Sequence, residues 1–174
     1  LLTQLPLAAR SDQFLTRLGG LGFDPHASNS LIDLVAGFAS AVDRNVAGSA
    51  QRSDLGEMAR LAAAETITAM VGAGLPTLFE TTPVDLRREL GKFATKDRFG
   101  DLAREFFSRL TQKTLDYYIS RALPDHVRPG QSIDSITKHA EFGAALERHC
   151  REASEIVEGF AGSWFSKNNY QGKL

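Results

Sequence analysis

Ile136 to Trp164, ITKHAEFGAALERHCREASEIVEGFAGSW, is the stretch on which the fold turns. Ile136, Ala140, Gly143, Leu146, Cys150, Ala153, Val157, Phe160 and Trp164 follow one another by threes and fours. That is the period of an α-helix, in which such residues line one face. The pattern predicts one amphipathic helix over about 135–163, with the polar tail 167–174 fraying.

Upstream lies a second long helical pattern, about Asp97 to Leu123. Phe99, Leu102, Phe106, Leu110, Thr114 and Tyr117 form one stripe; Phe107, Leu115, Tyr118 and Ala122 form another beside it. Two adjacent stripes make a broad apolar arc, which suits a helix with more than one neighbour. Pro124 stops this helix, and the segment PDHVRPGQSID (124–134) reads as a loop. Two rods of roughly 40 Å joined by so short a loop pack most economically as an antiparallel hairpin. Phe106 and Tyr117 are then expected to face Ala140, Gly143 and Ala153.

The N-terminal half is punctuated more often. A first helix follows Pro6 and closes at Gly19-Gly20, and 19–28 is a loop. A second, capped by Asn29 or Ser30, runs to about Val46 with Leu31, Val35, Phe38 and Val42 on one face. A third begins with a box in which Asp54 accepts from the backbone and Glu57 reaches back. Its small residues, Ala62 and Ala69 among them, invite close neighbours and predict a central position, and Gly72, Gly74 and Pro76 break it. Thr82-Pro83 starts a fourth helix carrying Leu86, Leu90 and Phe93. The expected fold is all-α: a bundle of about six helices with a long C-terminal antiparallel hairpin. Residues 1–174 read as one helical domain, with 1–81 and 82–174 as its two parts.

Composition narrows the function classes. A chain of 174 residues can bury enough surface to need no metal or disulfide staple. The net charge of −1 provides no global field for nucleic acid or acidic lipid. Only the middle of the chain is locally basic: from Val84 to Arg128 there are ten basic residues against seven acidic. Arg87, Arg88, Lys92 and Lys96 are the positions there that could meet phosphates, although Asp85 and Glu89 stand at ion-pairing distance along the helix. The single cysteine, Cys150, forbids an internal disulfide and suits a reducing compartment. No apolar run approaches the roughly 20 residues that span a bilayer. The chain opens Leu1-Leu2-Thr3 without a methionine, as expected of a piece of a longer protein.

Chemistry-bearing motifs are few. His26, His126, His139 and His149 are scattered, and no pair has metal-ligand spacing, so neither metal nor cofactor is expected. His149 and Cys150, adjacent on a helix, point about 100° apart and cannot act on each other. The glycines at 19–22 and 72–74 match no phosphate-cradling fingerprint. Arg121-Ala122-Leu123-Pro124-Asp125-His126, an Arg with a His five residues on, is similar to the signature of HEPN ribonucleases. The resemblance implies RNA cleavage at a dimer interface, with Arg121 stabilising charge on phosphorus and His126 exchanging protons. The chain departs from that signature at Ala122, where the family favours a polar residue, and at Pro124, which interrupts the presenting helix.

The runs RFGDLAREFFSRLTQKTLDYYISRALPDHV (98–127) and HCREASEIVEGFAGSWFSKNNY (149–170) resemble uncharacterised bacterial helical proteins of mobile, defence-type gene clusters. That resemblance implies a bacterial, cytoplasmic subunit of a multi-protein system and transfers no site residues. The expected function is accordingly a non-enzymatic interaction or scaffold subunit, with phage defence as one setting. Its anchors would be Phe160, Trp164, Phe165 and Tyr170, binding a protein partner or a second copy. The alternatives are a HEPN-like ribonuclease or toxin acting through Arg121 and His126, and a helical nucleic-acid-binding module.

Overall fold

The computed structural model describes residues 1–24, 30–47, 53–76, 81–122 and 136–174. Among these the chain is all-α, without a strand, and its helices pack as a bundle. In chain order they are α1 (Gln4–Arg10), α2 (Phe14–Gly20), α3 (Leu31–Ala47), α4 (Asp54–Gly72), α5 (Pro83–Lys92), α6 (Lys96–Ala122), α7 (Ile136–Ala153) and α8 (Glu155–Tyr170).

Local chemistry sets most of the boundaries. Ser30 and Asp33 form a reciprocal box at the start of α3: the Asp33 N–H donates to Ser30 Oγ and the Ser30 N–H to the Asp33 carboxylate, each at 3.1 Å. Asn29, the other expected cap, and the 124–134 loop lie outside the described residues. Thr82 and Asp85 repeat the box at α5, with Pro83 inside the first turn where its missing N–H costs nothing. α4 departs from expectation. Ser53, extended at φ −106° and ψ 149°, is its cap and accepts from the Gly56 N–H; Asp54 stands inside the first turn.

The expected first helix is two helices. The Gln13 N–H donates to Ser11 Oγ, a local bond that competes with helix continuation, and Ser11 itself is extended. α2 ends not at the Gly19-Gly20 pair alone but in a Schellman turn, with Gly22 at φ +87° and the Phe23 N–H reaching Leu18 O. The C-terminus does the same. α8 continues through Tyr170 instead of fraying after 166, and stops where Gly172 takes φ +63° and the Lys173 N–H bonds Asn168 O.

One buried cluster gathers side chains from α1 to α6 and from α8, including Leu5, Leu18, Leu34, Ile67, Leu86 and Phe165. Each such side chain contributes roughly 1.5–3 kcal/mol by leaving water. α4 holds the expected central place, against α3, α5 and α6. Its Glu65 meets Lys113 at 2.6 Å and Arg109 at 3.6 Å on α6. α1 is tied to α5 by Arg10, which donates to Gly91 O at 3.0 Å. Arg87 on α5 donates in return to Ala9 O at 2.9 Å and Ser11 O at 2.8 Å.

The long C-terminal hairpin is antiparallel. Arg104 on α6 reaches Glu155 and Glu158 on α8, and Lys96, eight residues earlier, lies against Gly162. Its second arm, however, is not one straight rod. At Ser154 (φ −81°, ψ −2°) the helix bends and α7 gives way to α8. The Ser154 hydroxyl donates to Cys150 O at 2.7 Å, a back-bond to the preceding turn that bends helices.

The bend comes with a rotated buried face. Cys150, Ser154, Ala161, Gly162 and Phe165 are buried, whereas Ala140, Ala153, Phe160 and Trp164 of the expected stripe are exposed. Tyr117 reaches α4: its hydroxyl donates to the Asp54 carboxylate.

The cause of the rotation is a close helix crossing. A Cβ on Gly100 would lie 2.6 Å from Glu158 O, and one on Gly162 would lie 2.6 Å from Lys96 O. Only a face presenting hydrogen atoms lets the two backbones come so near. Phe99 and Phe165 then stack beside the crossing, ring centroids 4.2 Å apart and 16° from parallel.

Candidate functional site

The crossing that buries Phe165 turns its neighbours outward. Adjacent helical residues point about 100° apart, so with 161 and 165 inward, 156, 160 and 164 share an outward face. Ile156 is 81 % exposed, Phe160 74 % and Trp164 43 %. They form a row at four-residue steps along α8, and Phe107 of α6 is exposed next to it.

This row forms the lip of an apolar groove of about 910 Å³. Its floor includes Phe38 of α3, Ala63 of α4, Ala103 and Phe106 of α6, and Ala161 of α8. The opposite wall is recessed because α4 presents Gly56 and Ala59 there, and Leu1 and Leu2 also line the groove. Small residues in one wall and large exposed rings on the lip produce depth without polarity. Contiguous exposed apolar surface of this kind marks binding sites in otherwise ordinary proteins.

Charges stand around the groove, each held by a partner. Arg60 binds the Glu57 carboxylate, and that hydrogen bond raises its pKa. Arg104 donates to Glu158 at 3.0 Å and to Glu155 at 3.1 Å; its pKa is raised chiefly by the bond to Glu158. The groove therefore offers contact area rather than a free charge to a ligand.

Of the four expected anchors, Phe160 and Trp164 come together on this lip. Phe165, 1 % exposed, belongs to the core, and Tyr170, 94 % exposed, lies beyond the groove on the last turn of α8. Sequence reading passed over Ile156 and the groove wall at Gly56 and Ala59. The available signal was the row 156–160–164, one residue out of phase with the row 154–161–165.

The other candidates are dispersed. Arg121 is exposed and its guanidinium lies 4.2 Å from the Tyr117 ring centroid, a cation–π contact. His126 lies outside the described residues. Arg87 spends its donors on the carbonyls of Ala9 and Ser11, Arg88 pairs with Asp85 at 2.8 Å, and Lys92 pairs with the buried Glu89. Lys96 is exposed, and its backbone forms one side of the close crossing. Cys150 is buried, which pushes its thiol pKa up, and His149 beside it is exposed.

Among the described residues no three His, Cys, Asp or Glu side chains cluster to hold a metal, and no helix is long and apolar enough to cross a membrane. No family model, no curated protein and no solved structure matches the chain.

Proposed function

We propose that the protein is a non-enzymatic helical interaction subunit whose working surface is the groove edged by Ile156, Phe160 and Trp164. The observation that carries this reading is that row: two aromatic rings and an isoleucine in water above an apolar trough. Aromatic anchors beside a trough are the usual core of a protein–protein contact, where few residues supply most of the binding energy. An amphipathic helix laid along such a trough buries its own apolar face at i, i+4 and i+8. The resemblance of the C-terminal half to proteins of defence-type clusters supports a bacterial, cytoplasmic setting within a multi-protein system, with phage defence as one such setting.

A photoreactive residue placed at Phe160, with Val84 as an equally solvent-facing control away from the groove, tests the reading in the source cells. The reading expects a discrete protein adduct at 160, identified by mass spectrometry, in large excess over 84. Equal yields at the two positions would overturn it.

A further inference from the structure

We propose that α7 is a hinged arm, which swings about Ser154 between the bent form docked on α6 and a straight form in which α7 and α8 run as one helix. The inference does not depend on what the groove binds.

The backbone bonds show what the bend gives up. Among the described residues, the Val157 N–H bonds Ser154 O, three residues back, at 3.1 Å, and the helical bonds from 155 to 151 and from 157 to 153 are absent. Straightening restores them. Sharp helix breaks usually fall at proline or glycine, or where a side chain enters the ladder. Residues 152–157 read EASEIV, with neither proline nor glycine, so the local sequence favours continuity. What bends it locally is the Ser154 hydroxyl, which shares the Cys150 carbonyl with its own N–H, at 2.7 Å and 3.1 Å.

Little holds the arm against α6. α7 contributes no side chain to the buried cluster that unites α1 to α6 with α8. Among its described side chains Cys150 alone is buried, Gly143 and Leu146 are half-buried, and the rest are exposed. A segment with so few buried apolar contacts opens at lower free energy than the core. The connection to α6 is long enough to permit the motion. The chain from 122 to 136 can extend to about 45 Å, and α7, with 18 residues, moves its tip by roughly its own ~27 Å in a swing of about 60°. Each form has its own apolar face. In the straight helix Leu146, Cys150 and Ala153 come into line with Val157, Phe160 and Trp164, one unbroken row. In the bent form Cys150 is buried and the exposed row stops at Ile156. The regular pattern of the sequence and the rotated face of the structure thus belong to two forms of one segment, and the swing lengthens or shortens the apolar surface offered to solvent.

The test uses the full chain. In a Cys150→Ser background, spin labels on Ser120→Cys and Glu141→Cys, both exposed and near the adjoining ends of α6 and α7, report the separation of the two helices. Double electron–electron resonance should give a main short distance, as for helices about 10 Å apart, and a second population longer by roughly 10–20 Å. Ser154→Ala removes the bending hydroxyl and should raise the ratio of long to short roughly twofold to tenfold. Ser154→Gly, which disfavours a continuous helix, should raise it less. Circular dichroism should show no loss of helix in Ser154→Ala. With Cys150 in place, its labelling by a thiol reagent should depend weakly on urea below the unfolding transition, and should quicken by the same factor in Ser154→Ala. A single short distance in all three proteins, or Cys150 labelling that follows global unfolding, overturns the proposal. So does a longer distance accompanied by loss of helix, since the arm would then melt rather than swing.

Discussion

Replacing Gly162 by alanine puts a methyl group where the structure has room only for hydrogen. The new Cβ would sit 2.6 Å from Lys96 O and 3.4 Å from its carbonyl carbon, both backbone atoms that no rotamer change can move aside. Restoring an ordinary contact needs α8 to lift from α6 by somewhat under 1 Å. A gap of that size forfeits a quarter to a half of each dispersion contact at the seam, including those of the stacked Phe99 and Phe165. Overpacking of this kind costs about 1–3 kcal/mol. Against it stands the gain from removing a glycine from a helix interior, about 1 kcal/mol. Because the clash is backbone on backbone, the steric cost falls in the upper part of that range, about 2–3 kcal/mol, and we expect a net loss of about 1–2 kcal/mol. In a chain of this size that lowers Tm by roughly 2–8 °C. Gly143→Ala is the control, since nothing lies within 4 Å of its added Cβ and only the propensity gain remains. It should raise Tm by about 2–4 °C. Calorimetric melts of the two variants beside the wild type decide the matter. A Gly162→Ala protein melting at or above the wild type, in step with Gly143→Ala, would refute the close crossing and the rotated face that follows from it.

Four further outcomes follow from the packing, the caps and the Tyr117 hydroxyl. Phe165→Ala should cost about 3–5 kcal/mol in denaturant unfolding, whereas Phe160→Ala in dilute solution should stay within about 0.5 kcal/mol of wild type; reversed magnitudes contradict the assignment of faces. Thr82→Ala should cost about 1 kcal/mol through loss of the α5 cap. The hydrogen bonds from Thr82 and the neighbouring Arg88 hold the Asp85 pKa below its ordinary 3.8, so its contribution is present above that value and lost as pH falls through the depressed pKa. An acid titration of stability in Asp85→Asn should be flatter there; identical profiles exclude the box. The hydroxyl that Tyr117 donates to Asp54 raises its pKa above the ordinary 10.0. Its contribution is therefore complete below pH 10 and falls as pH rises through the raised pKa, a loss that Tyr117→Phe should remove and that alkaline unfolding curves would reveal.

Much of the fold was legible where the deciding chemistry is local. Thr82 with Pro83, and Ser30, mark helix starts within a few residues, each completed by the aspartate three positions on; at α4 the reading chose Asp54, one residue past the true cap, Ser53. The length of α6 was legible too, because its apolar arc is wide enough to tolerate an error of face. The bend and rotation at Ser154 were not. Two rows of threes and fours run through the same segment one residue apart, and periodicity alone favours the row richer in aromatic side chains. Tertiary contact favours the other row, because Gly162 and Ala161 admit the α6 backbone at Gly100 and Lys96 while Phe160 and Trp164 would hold it off. The groove was hidden for the same reason. Its wall depends on Gly56 and Ala59, which a sequence offers only as small helical residues until the opposing lip is known.

The chain contains one tryptophan, and it stands on the proposed contact surface, so its fluorescence reports on the central claim without any label. In the dilute chain the Trp164 emission should lie to the red and acrylamide should quench it readily, because the indole stands on the exposed lip beside Phe160. The Phe165→Trp, Trp164→Phe variant should instead emit to the blue and resist the quencher, because position 165 is buried against Phe99. A shielded indole at 164, or equal quenching at the two positions, would contradict the assignment of the faces of α8.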